Sequence, residues 1–201
     1  MVSLGLSCQT AHQCTRFALE SGGATQFVKG PFDWLICPPA SLAAWLDDGL
    51  CDFDPSDIIS YRGHAFWPRY GFWFWHGFFR KEGDHKVLDI TNTAERELAK
   101  LAHQRDVFFS VDARSTTFVW SNSQGNLDDT VFLPAERARY RANRTTRPML
   151  EAALQRVFNS DVHLTLVSTP ARQWKATAKL IEPDVTEWKG DDHAWNRLLD
   201  V

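Results

Sequence analysis

Apolar and polar positions along the chain change period several times, and each change marks an element. Val2-Ser3-Leu4-Gly5 alternates in a way that predicts a strand over Val2–Gly5. Ser7 then stands as an N-cap, with Ala11, Cys14, Phe17 and Ala18 at helical spacing behind it and Ser21-Gly22-Gly23 as the stop. A second helix is predicted from Ser41 to Asp47, closed by Gly49, and residues 51–63 read as loop. From Phe72 the pattern turns to period two. Phe72, Phe74, His76 and Phe78 fall on one face, Trp73, Trp75 and Phe79 on the other. With aromatic residues on both faces, this is a two-sided buried strand or a hairpin arm.

Further along, Asn92 caps a predicted helix with Glu95 as its capping-box partner, and Leu98, Leu101, Ala102 and Phe108 form its apolar face. Thr116–Trp120 and Val162–Val167 read as strands. Between them lie an Arg-rich helix beginning near Pro134 and another beginning near Thr146, whose Leu150, Leu154, Val157 and Phe158 share a face. Residues 171–201 mix charge with Trp174, Trp188 and Trp195, as a covering tail would. Strands separated by helices predict an α/β fold, a three-layer sandwich with a mainly parallel sheet, in one domain over residues 1–201. Ligands of such sheets sit beyond the carboxyl ends of the strands. Here those ends are Gly5 to Cys8, Ser121 to Asn122, and Ser168 to Thr169.

Composition narrows the class. At 44% hydrophobic and 23% charged residues the 201-residue chain is neither disordered nor fibrous. A net charge of −3 argues against a bulk polycation for nucleic acid, so no nucleic-acid partner is expected. No apolar run approaches the roughly 18 residues of a membrane span, and the first residues lack the basic start of a signal peptide. Four cysteines without an export signal are expected to be reduced thiols of a cytoplasmic protein. Nine Trp imply either a heavily aromatic core or a surface that stacks on flat ligands.

Cys8 is the leading chemical candidate. It follows a strand and a tight turn and sits in the first turn of a helix, where the dipole and free N–H groups favour thiolate over thiol. The same N–H groups are placed to hold an oxyanion. Against this stands the plain alternative of a small buried hydrophobe. His12, one turn further on, and His76 are the two candidate bases. Asp33 reads equally as a turn residue bonding neighbouring N–H groups, and Asn122 as ordinary turn chemistry. No cysteine or histidine spacing suits a metal, and no glycine-rich phosphate loop is present, so neither metal nor cofactor is expected. Arg137, Arg141 and Arg144 would share a helix face able to grip phosphate or carboxylate, unless that face is merely solvated.

Two motifs add a resemblance. Ser3-Leu4-Gly5-Leu6-Ser7-Cys8-Gln9-Thr10-Ala11 and Gly30-Pro31-Phe32-Asp33-Trp34 resemble a largely bacterial family described as papain-like cysteine peptidases. That family shows Ser-Leu-Gly-x-x-Cys-x-x-Ala, a later Pro-Phe-Asp-Trp, an isolated His after an apolar stretch, and a Lys/Arg-rich helix before a Phe-Val strand. In this chain the last three correspond to His76, a helix with Lys100 and Arg105, and Phe118-Val119; the likeness spans residues 2–168. It implies Cys8 as nucleophile and His76 as base, with Asp33 or Asn122 orienting the imidazole. Ser7, Gln9, Trp34 and Arg105 are then the expected substrate-binding residues, and a papain-like α+β fold is the alternative architecture.

The function these features imply is a cysteine-dependent hydrolase or an acyl or glycosyl transferase acting on a small-molecule, peptide or glycan substrate. Two rivals keep Cys8 structural. One is a non-enzymatic domain recognising a glycan or a phosphorylated ligand, the other a carbohydrate-modifying enzyme. The sequence leaves the oligomeric state open.

Overall fold

The computed structural model describes residues 1–125, 136–174, 178–181 and 188–199. Its centre is a four-stranded parallel sheet of β1 (Val2–Ser3), β8 (Thr117–Ser121), β10 (His163–Ser168) and β12 (Lys179–Leu180), in that spatial order. Registers run Val2 to Phe118, Leu164 to Phe118 and Val167 to Lys179. The strands expected at Val2–Gly5, Thr116–Trp120 and Val162–Val167 are present and parallel, each within two residues of its expected ends. The expected tail does more than cover, because it supplies β12 and the helix at Asp192–Leu199.

Both faces of this sheet are buried. Val2, Leu4, Phe118, Trp120, Leu164 and Leu166 join one apolar cluster, and Val119 and Val167 join another with Cys14, Ile181, Trp195 and Leu199. This is the pleat at work, since neighbouring residues of a strand point to opposite faces. The helices α1 (Cys8–Glu20) and α5 (Asp192–Leu199) pack together and supply the second cluster. Three others, α2 (Pro39–Asp47), α3 (Ile90–Phe109) and α4 (Thr146–Phe158), feed the first.

An antiparallel sheet carries the aromatic stretch. Its order is β2 (Leu35–Ile36), β5 (Phe72–Phe74), β4 (His64–Trp67) and β3 (Ile59–Tyr61). As expected, β5 is a hairpin arm buried on both faces. Trp45, Phe53, Trp67, Tyr70 and Phe72 meet edge-on or tilted around it, the arrangement that suits aromatic quadrupoles. A separate hairpin joins β6 (Phe79–Glu82) to β7 (His85–Leu88), and β9 (Ala142–Asn143) pairs with β11 (Gln173–Trp174).

Several expectations are corrected. The alternation from Phe72 stops at Phe74, and residues 75–78 form a bend in which Phe78 takes φ +64°, so His76 is not on a strand face. Residues 51–63 hold a 3₁₀ turn at Pro55–Asp57 and the strand β3, where a loop was expected. The cap of α3 is Asp89, whose carboxylate accepts the Asn92 N–H at 3.2 Å, so Asn92 lies inside the helix. Residues 137–140 make a single 3₁₀ turn running into β9, so Arg137, Arg141 and Arg144 share no helix face; Pro134 lies outside the described residues. Among the described residues no helix is long and apolar enough to cross a membrane.

The turn between β1 and α1 is a tight joint. Gly5 takes φ +71° and Leu6 φ +58°, two successive left-handed residues that aim the helix start away from the sheet. A Cβ on Gly5 would lie 2.7 Å from the Phe32 carbonyl oxygen. Gly5→Ala is therefore expected to destabilise the protein by about 2 kcal/mol or more, from the strained φ and the clash together. Chemical denaturation of the variant against the wild type measures this.

Candidate functional site

The joint brings the amino end of α1 to the carboxyl edge of the parallel sheet. The Gly5 carbonyl accepts from the Ser121 N–H at 3.3 Å and from Thr10 Oγ1 at 3.1 Å, tying the turn to the end of β8 and back to the helix. Cys8 is the first residue of α1. Ser7, in the N-cap position with φ −155°, gives no side-chain cap, and its buried Oγ has no protein partner.

Cys8 is buried, and burial pushes its thiol up to about 12, with the backbone N–H at the helix start pulling the other way and the Asp33 carboxyl adding to the rise. The expectation of a standing thiolate is thus corrected, because desolvation outweighs the helix start. Asp33 is itself pushed up to about 7, chiefly by burial, while the bond from Gly30 N–H (3.1 Å to Oδ2) and the charges of Lys29 and Lys100 pull it down. The bond to Gly30 is the turn role allowed for Asp33 from sequence. Its other oxygen, Oδ1, is buried without a partner. In the same loop Phe32 enters the core between Trp45 and Phe108, and Trp34 stays partly exposed.

The expected Cys8–His76 hydrogen bond is not formed. His76 is exposed and meets the Trp34 ring edge-on, with centroids 5.3 Å apart, and no hydrogen bond joins it to Asp33 or Asn122. Burial lowers its pKa, as do the charges of Lys86, His64 and Lys100. Lys100 is the one charge acting on both His76 and Asp33, which places the two in one neighbourhood. His12 is also not bonded to Cys8. Its ring faces Trp188 at 5.1 Å, and its charged neighbours are Lys189, Asp192 and Arg16.

The remaining expected residues divide. Asn122 does reach the sheet edge, but its Nδ2 donates to the Tyr140 carbonyl at 3.0 Å and the Arg172 carbonyl at 3.1 Å, so it orients no imidazole. Gln9 donates to the Trp188 carbonyl and accepts from the Ser123 hydroxyl, which fastens α1 to other parts of the chain. Arg105 donates to the Leu50 carbonyl and pairs with Asp52, remote from Cys8 in its partners. Trp34 borders a cleft shared with Pro31, Gly77, Glu97 and Lys100, which Cys8 does not line.

A second cavity of about 110 Å³ opens at the carboxyl edge, lined by Leu6, Asn122, Arg137, Tyr140, Arg141, Ala171 and Arg172. Leu6 precedes Cys8 by two residues, so this cavity adjoins the joint. Arg172 is the member that sequence reasoning missed. Its signal was an arginine shortly after the end of β10, at the edge where such sheets bind ligands. No group of metal-ligating side chains is found among the described residues. Comparison of the chain with family models, curated proteins and solved structures finds no match.

Asp33 sets a pH dependence. Its pKa is raised in the folded protein, so its stabilising contribution is complete below about pH 4 and is lost as pH rises through about 7. The full difference is on the order of 4 kcal/mol. Asp33→Asn keeps an acceptor for Gly30 and removes the charge. The variant should match the wild type near pH 4.5 and exceed it in thermal midpoint at pH 8, as scanning fluorimetry across that range will show.

Proposed function

We propose that the protein is a cysteine-dependent hydrolase or acyl or glycosyl transferase of the cytoplasm, with Cys8 as its nucleophile. The carrying observation is the left-handed joint that sets Cys8 at the start of α1, beside a buried carboxyl poised near neutrality. Backbone strain of this kind collects at functional sites. Ser7, Asp33 and Asn122, all nominated from sequence, each hold a buried polar atom without a protein partner, another mark of a working site. The likeness of residues 2–11 and 30–34 to papain-like cysteine peptidases points the same way. The reading takes the fold as a three-layer α/β sandwich, supported by the two buried faces of the sheet. Four free cysteines support a reducing compartment.

In this mechanism the resting group is the thiol. As substrate enters, the Cys8 proton passes to the Asp33 carboxylate, directly or through a water. The thiolate attacks a carbonyl carbon, the N–H groups at the helix start hold the oxyanion, and the protonated acid returns the proton to the leaving group. Water or an acceptor alcohol or amine then takes the acyl group from Cys8. Asp33 thus fills the role that sequence gave to His76, and the variants separate the two.

Incubation with p-nitrophenyl acetate should leave a single acetyl group on Cys8, mapped by mass spectrometry, at a rate that rises with pH to a midpoint near 7. Asp33→Asn should slow this at least tenfold, within the range expected for loss of a general base, and His76→Ala should leave it within about twofold. Slowing by His76→Ala alone would restore His76 as the base. Acylation confined to half-buried Cys51 would make Cys8 structural and overturn the proposal.

A further inference from the structure

The cavity at the carboxyl edge has a composition found nowhere else among the described residues. Arg137 and Arg141 come from the turn before β9, Arg172 from the turn after β10, and all three line the same space. Several other described arginines pair with carboxylates, as Arg69 does with Asp48, Arg80 with Asp89, Arg105 with Asp52 and Arg156 with Asp47. Arg141 is exposed and makes no side-chain hydrogen bond or ion pair with any described residue. Arg172 is held in place by the carbonyls of Asn122, Gln124 and Gly125, which accept its guanidinium hydrogens. Guanidinium groups gathered from separate elements suit the planar, multidentate oxygens of a phosphate or carboxylate.

Asn122 supplies the second, independent observation. It is 1% exposed, and its Oδ1 is buried without a protein partner while the residue lines the cavity. The amide cannot be reversed, because Nδ2 already donates to two carbonyls, at 3.0 Å to Tyr140 and 3.1 Å to Arg172. Turned over, it would set its oxygen against both. The open group is therefore an acceptor, and it calls for a donor. A fully deprotonated anion such as sulfate does not supply one. At about 110 Å³ the space exceeds the roughly 10–15 Å³ a single water requires, so it has room for a small group and not for a polymer.

We propose that this cavity binds an organic anion carrying a hydroxyl close to its phosphate or carboxylate. The anionic oxygens lie between Arg137, Arg141 and Arg172, and the hydroxyl donates to Asn122 Oδ1. Tyr140 and Leu6 form the less polar wall, and Leu6 leads directly into the Cys8 joint. Naming this anion as the substrate, and not only as a ligand, rests on the thiol mechanism proposed above; the binding itself does not.

Isothermal titration of the full chain with glycerol 3-phosphate, glycerate, sulfate and glycerol tests it. Saturable binding of one or both hydroxyl-bearing anions is expected, at least tenfold tighter than sulfate, with none for glycerol. Glycerol 3-phosphate and glycerate tell whether phosphate or carboxylate is the better head. Arg141→Gln should weaken that binding about tenfold or more, the cost of losing a charge-assisted contact, and leave the thermal midpoint unchanged. Binding by none of the four, equal affinity for sulfate, or an unchanged affinity in Arg141→Gln would each overturn the proposal. The p-nitrophenyl acetate reaction needs no anion. Acylation of Cys8 without anion binding refutes the cavity alone, and anion binding without acylation refutes the thiol mechanism alone.

Discussion

The approach of Gly5 to the Phe32 carbonyl, where a Cβ would stand only 2.7 Å away, governs the rest of the site. It lets the first strand end, turn through two left-handed residues and begin a helix within a few residues. It also clamps the Pro31–Trp34 loop against that turn, so the anchor of Phe32 in the aromatic core fixes where Asp33 stands relative to Cys8. Any side chain at residue 5 would push the loop and the joint apart. A two-residue strand is too short to position anything by pairing alone, so this steric fit does the work that a longer ladder does in larger sheets.

Burial decides the electrostatics. The helix start lowers the Cys8 thiol pKa through its N–H, yet the cost of removing a charge from water is larger. The same cost keeps Asp33 half protonated near neutrality. Burial raises both groups together, the thiol to about 12 and the carboxyl to about 7, so the resting pair is a neutral thiol and a half-ionised carboxyl with no histidine between them. Where the chain does leave polar groups open to a cavity, it places guanidinium groups and an amide oxygen, so charge is concentrated beside the joint and kept out of it.

Three of the four strands of the parallel sheet were legible because they are short apolar runs bounded by turn residues, and their ends fell within two residues of expectation; β12 was hidden in what read as a covering tail. Cys8 and Asp33 were legible because the Gly5 turn and the Pro-Phe-Asp-Trp loop carry local signals. His76 was misplaced for a physical reason. Alternation of apolar residues does not reveal that Phe78 adopts a left-handed conformation, which ends the strand geometry early. Arg105 and Gln9 look available in a sequence, and only long-range partners such as Asp52, Trp188 and Ser123 show that they are spent on holding the fold. The cavity was half legible. The arginine run was visible, but its convergence with Arg172 depends on two turns adjoining at one sheet edge.

The spatial order of the parallel sheet has a consequence for how the molecule is made. Val2 and Ser3 pair with Phe118 and Val119, so beyond a single bridge from Val2 to Val28 the first strand has no ladder partner until more than half the chain has left the ribosome. The aromatic hairpin from β3 to β5 closes over a short stretch and is complete well before then. Synthesis therefore presents a finished antiparallel unit beside a waiting thiol-bearing segment, and the sheet that defines the site is the last to assemble. Contacts of such long sequence separation are slow to form. Until then the edge of β1 that β8 will cover stays unpaired, the kind of open strand edge that favours association between incompletely folded chains.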